Sequence, residues 1–63
     1  MPDHRHDSMV TARRQATLWA QAATLHLHAG NLQQGIHALG RAESEAVTAL
    51  RLERELAEKK AQP

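Results

Sequence analysis

His28-Ala29-Gly30-Asn31-Leu32-Gln33-Gln34 divides a chain that otherwise reads as helix. Gly30 suits the left-handed conformation that ends many helices, because it lacks the Cβ that penalises that region. Asn31 suits the next N-cap, and Gln34 stands three residues on, where it can reach back as a capping box. Residues 9–29 contain neither Pro nor Gly, and no Pro follows the turn before Pro63. So short a connection between two helical stretches forces them antiparallel. The sequence therefore predicts an all-α fold: an antiparallel helical hairpin, with helix one over about 8–29, a turn at 30–31 and a long helix two over about 32–60.

Working outward from the turn, apolar residues recur at helical spacing. Helix one carries Leu18, Ala22, Leu25 and Ala29, flanked by a second line through Trp19, Ala23 and His26. Helix two carries Leu32, Ile36, Leu39, Ala42, Ala46, Ala49 or Leu50, and Leu56 or Ala57. Gly35 and Gly40 each weaken a helix by about 1 kcal/mol relative to Ala, so a break near Gly40 or Ser44 stays open. Gly35 and Ala42 also permit another helix to approach closely. At the rise of an α-helix, helix two spans roughly 40 Å and helix one roughly 30 Å. Residues 1–7 read as a disordered polar arm, with Asp7 or Ser8 as the first cap. The apolar positions near Leu52 and Leu56 then overhang helix one. A second copy of the hairpin, giving a four-helix bundle, is the simplest cover.

Composition points the same way. The chain has 63 residues, no Cys, no Phe, no Tyr and one Trp. Without cysteine there is no disulfide framework and no thiolate zinc site, two usual supports of so small a domain. Alanine forms helices readily but buries little area, so self-association is the remaining route to a sufficient core. The net charge of +1 argues against a general binder of nucleic acid or membrane surfaces. No apolar run reaches the roughly 20 residues needed to span a bilayer, and residues 1–7 are too polar for a secretory signal. A cytoplasmic location is the default expectation, and the Ala and Arg bias points to a bacterial or phage gene.

Several residue groups invite chemistry. His26 and His28 stand two apart on a helix and face different ways, and His37 lies across the turn, so three metal ligands do not converge. A chain starting at Pro2-Asp3-His4 would present a free amine with histidine third, an arrangement able to wrap Cu(II) or Ni(II). That pattern arises easily by chance, and neither metal nor cofactor is expected. No Ser or Thr sits beside a plausible His, and no phosphate-binding glycine loop is present. Glu43, Glu45, Glu53, Glu55 and Glu58 lie on a helix with no pocket to shift them, so no catalytic residue is assigned. Arg13, Arg14, Arg51 and Arg54 would gather where the hairpin brings its ends together and could form a basic face for nucleic acid. Interleaved carboxylates and i,i+4 pairs such as Glu55 with Lys59 favour a solvated surface instead.

Residues 19–47 carry a further pattern: Trp19, Ala22-Ala23, His26, Gly35, Leu39 and Val47, with small residues at Gly30 and Ala42. The offsets resemble one tetratricopeptide repeat. His26 stands where that family keeps Tyr, Val47 where it keeps Pro, and no second repeat follows. The resemblance implies a helical hairpin with a protein-binding role. The function expected is thus that of a small, non-enzymatic regulator or adaptor, a homodimer that binds a larger protein. Its interface residues would be Leu18, Trp19, Leu25, Leu39, Ala42, Ala46, Leu50 and Leu56. Trp19 could serve either as a core anchor or as an exposed hot spot. The alternative is a dimeric nucleic-acid binder using the arginine face.

Overall fold

The computed structural model describes residues 3–61, which form two helices and no strand. α1 spans Arg5–His28 and α2 spans Leu32–Ala61, and they pack along their length as a hairpin of 52 × 17 × 12 Å. The turn closes as the sequence predicts. Gly30 adopts φ 85°, the Gly30 amide donates to the Leu27 carbonyl (3.1 Å) and the Asn31 amide to the His26 carbonyl (2.8 Å). This crossed pair is the Schellman arrangement, which satisfies carbonyls that the end of α1 leaves free. The expected Asn31–Gln34 capping box does not form. Asn31 nonetheless holds the N-cap position, since its backbone carbonyl accepts the first bond of α2, from the Gly35 amide (2.9 Å).

α1 begins three residues earlier than the sequence suggested, so the disordered arm is corrected for residues 5–7; Met1 and Pro2 lie outside the described residues. The cause is Asp3. Its carboxylate accepts from the Arg5 amide (3.0 Å), from the Arg5 guanidinium (3.0–3.2 Å) and from Lys59 Nζ (2.6 Å). Asp3 thus serves a free amide of the first turn and ties it to the far end of α2. Asp7 and Ser8 lie within the helix, and Lys59 pairs with Asp3 rather than with Glu55. The earlier start also removes the expected overhang. Met9 and Leu52 are buried, and Leu56 is half-buried. α2 runs unbroken through Gly40 and Ser44.

The helices meet along two heptad lines. On α1 the inward positions are Met9, Ala12, Ala16, Trp19, Ala23 and His26, and on α2 they are Gly35, Ala38, Ala42, Glu45, Ala49, Leu52 and Leu56. Steps of three and four alternate throughout both, the spacing of coiled-coil packing. Most of these side chains are small, which lets the backbones approach. A Cβ added at Gly35 would lie 2.5 Å from Leu27 Cδ2, so only glycine admits Leu27 as it stands. The expectation that the larger apolar residues face inward is therefore corrected by one residue on each helix. Leu18 and Leu25 precede inward positions on α1, and Ile36, Leu39, Ala46 and Leu50 follow inward positions on α2. All six are exposed.

Candidate interaction surfaces

Each residue advances about 100° around a helix. In an antiparallel pair, the residues following inward positions on both helices therefore share one flank, and those preceding share the other. The first flank holds a groove lined by Ala16, Thr17, Ala20, Leu39, Ala42, Glu43 and Ala46, and it continues through Ile36 and Leu50. Thr17 Oγ1 donates to the Arg13 carbonyl (3.1 Å) and Thr24 Oγ1 to the Ala20 carbonyl (3.0 Å). Both hydroxyls are thereby turned back onto their own helix, which leaves this flank more apolar than its composition suggests. Ile36 is 65% exposed, Leu50 55% and Leu39 49%.

The second flank is built around Trp19. The indole sits on the seam, half-buried, in a cleft lined also by Ala22, His26, Gln33, Gln34, His37 and Ala38. The His37 ring meets the indole edge-on at 5.9 Å and 82°, and Arg41 Cζ lies 5.3 Å from the indole centroid. At these distances the indole takes an aromatic contact and a cation–π contact at once. No carboxylate lies within ion-pair distance of Arg41 among the described residues. No Asp or Glu occurs between Asp7 and Glu43, so the titratable side chains of the turn half near this cleft are arginine and histidine.

The interface residues expected from the sequence thus divide into three sets. Trp19, Ala42 and Leu56 lie half-buried along the seam. Leu39, Ala46 and Leu50 share the apolar flank. Leu18 and Leu25 are exposed on the Trp19 side of α1 and do not join the α2 leucines. The four arginines proposed as a basic face are all exposed but do not line up. Arg13 follows an inward position on α1 and Arg51 precedes one on α2, so they sit on opposite flanks; Arg14 and Arg54 point to the two outer backs. Reading by size picked out Trp19 but missed His37 and Arg41, its neighbours across the hairpin.

At the open end, Asp3 collects Arg5 and Lys59. Hydrogen bonds from Arg5 first and Lys59 second hold its carboxyl well below the usual carboxylate range, and the hydrogen bond to Asp3, aided by its charge, in turn raises the Arg5 guanidinium. Among the described residues no three His, Asp or Glu side chains converge as a metal site, and no helix is long and apolar enough to cross a membrane. Of the residues that resemble a tetratricopeptide repeat, Trp19, Ala23, His26 and Gly35 lie on the seam, while Leu39 and Val47 face outward. No protein-family model, curated protein or solved structure matches the chain.

Proposed function

We propose that the chain is a non-enzymatic association module. Two hairpins pack through the flank carrying Ile36, Leu39, Ala46 and Leu50 into a four-helix bundle, and the bundle acts as a regulator or adaptor by binding a larger protein. The observation that carries this reading is the inverted burial. Four of the six buried apolar residues are alanines, whereas Leu32, Ile36, Leu39, Val47 and Leu50 are each about half exposed or more. Four buried alanine methyls contribute about 3 kcal/mol in all, at roughly 0.8 kcal/mol each, while one fully buried leucine is worth about 2 kcal/mol. The larger reserve of apolar area therefore lies outside the single hairpin.

Surface area supports the same reading. The hairpin exposes 5103 Å², against about 4,000 Å² for a compact monomer of its mass. The excess of about 1,000 Å² per chain matches or exceeds the roughly 800 Å² that each partner buries in a stable interface. Charge fits as well. Arg13, Glu43 and Glu53 follow inward positions on the apolar flank, and none of them is ion-paired within the hairpin. A twofold copy packed on this flank therefore presents groups of opposite charge on both sides of the contact. Light scattering after size exclusion, across low-micromolar concentrations, tests the reading. A mass of two chains and a melting temperature that rises with concentration are expected; a well-folded single chain at every concentration refutes the dimer.

A further inference from the structure

We propose that the Trp19 cleft is the site at which this module takes its target, and that it recognises an acidic peptide segment. A carboxylate of the segment meets Arg41 and His37, and a neighbouring apolar side chain lies on the indole beside Ala22. The inference rests on the reading of the chain as an interaction module but not on its dimerisation. It concerns the opposite flank, which a bundle formed through Leu39 and Leu50 leaves facing outward.

Three observations converge. Arg41 lies over the indole of Trp19, 5.3 Å from its centroid, and no carboxylate of the described chain reaches it. Glu45, one turn on and on the seam, is the natural helical partner for Arg41, yet the pair does not form. A guanidinium placed this way keeps planar donors available, and two parallel N–H groups match the two oxygens of a carboxylate. Second, the polar groups at the cleft suit an anion. His26 and His37 line it with imidazole rings that can donate, Arg41 sets a fixed positive charge over its aromatic wall, and the stretch from Ser8 to Ala42 contains no carboxylate side chain. An acidic segment is the complement such a surface selects, both in steering and in register. Third, Gln33 and Gln34 line the remaining wall with amides that both donate and accept, the groups a peptide backbone needs. Trp and Arg side by side are also the residue types most enriched at binding hot spots.

The lone tryptophan makes the test direct. A short blocked peptide of alternating Glu and Leu is titrated into the full chain at low salt. The Trp19 indole N–H resonance and the intrinsic fluorescence are followed, with the same peptide carrying Gln for Glu as control. The Glu peptide is expected to shift the Trp19 signals saturably in the millimolar range, and the Gln peptide is expected to leave them unmoved. Arg41→Gln, a change at an exposed position that keeps the helix, is expected to weaken binding about tenfold, the loss of one charge-assisted contact. Trp19→Phe, followed by peptide-induced amide shifts at residues 37 and 41, is expected to weaken it as well. Signals that ignore the Glu peptide, that respond equally to the Gln peptide, or that survive Arg41→Gln unchanged overturn the proposal. So does tighter binding of a single-stranded oligouridine at the same residues, which would assign the cleft to phosphates. A chain that forms dimers yet ignores the peptide removes this inference alone. A monomer that binds it keeps the inference and removes the dimer.

Discussion

Two lines of residues on α2 lie one position apart and have opposite fates. Gly35, Ala38 and Ala49 turn toward α1 and are buried, whereas Ile36, Leu39 and Leu50 stand beside them in solvent. In a hairpin stable by itself the larger residues would occupy the inner line, since burial scales with apolar area. Small side chains on the inner line let the two backbones close in, and the same closeness pushes the leucines to the outside. The inner line therefore sets geometry, and the outer line holds the greater part of the free energy that burial could release.

The largest expected effect comes from attacking the outer line. Leu39→Glu together with Leu50→Glu removes four leucines from the proposed bundle interface, two from each chain. Each is about half exposed in the hairpin and has about 1 kcal/mol left to gain, so the loss is about 4 kcal/mol, or roughly a thousandfold in association. Light scattering should then report a single chain, with a melting temperature independent of concentration. An undiminished dimer would place the contact elsewhere on the molecule. Next in size, Ala38→Leu puts a large side chain on the inner line, where Ala38 is 2% exposed. Overpacking should lower stability by about 2–3 kcal/mol in thermal or urea melts. Leucine stands already at the adjacent position 39, so the pair separates placement from composition.

A smaller contrast lies between two glycines of α2. A Cβ at Gly40 meets nothing within 4 Å, so Gly40→Ala should stabilise the helix by about 1 kcal/mol. Gly35→Ala gains the same propensity but thrusts its Cβ against Leu27, and no net stabilisation is expected in the same melt. The smallest effect is at the open end, where the Asp3 carboxyl is held below its ordinary range in the fold. Unfolded, it takes up its proton near the usual value of about 3.9. A lowered value means the contact stabilises fully above that ordinary range and fades as pH falls toward the folded value. Proton NMR at falling pH should show the first turn of α1 loosening in acid, and Asp3→Asn should abolish that dependence.

The sequence made some of this legible and hid the rest for physical reasons. The turn was readable because its determinants are local: Gly30 and the carbonyls of Leu27 and His26 lie within five residues. The helices were readable because alanine-rich stretches without Pro form them by propensity. The seam was legible in part: Trp19, Ala23, His26, Ala42, Ala49 and Leu56 lie on it as read. Leu18, Leu25, Ile36, Leu39 and Leu50 were drawn in because apolar periodicity weights large side chains, and about half of this seam is Ala or Gly, with Glu45 set among them. The start of α1 was missed because the Asp3 carboxylate that serves its first amide is also held by Lys59, a partner 56 residues away. Trp19 drew attention by its type. Its neighbours His37 and Arg41 appear only once residues are counted back evenly from the turn, which sets Trp19 across from Ala42.

The Asp3–Lys59 contact also gives the hairpin a direction in time. Closing the turn at Gly30 joins residues adjacent in sequence, and each further step of the seam joins residues slightly more distant. Loop-closure entropy therefore favours zipping from the turn outward. The ion pair spans nearly the whole chain, so it is the last stitch to be made and the first to slip. A partner that docks at the turn end meets the part of the molecule that forms first and opens last.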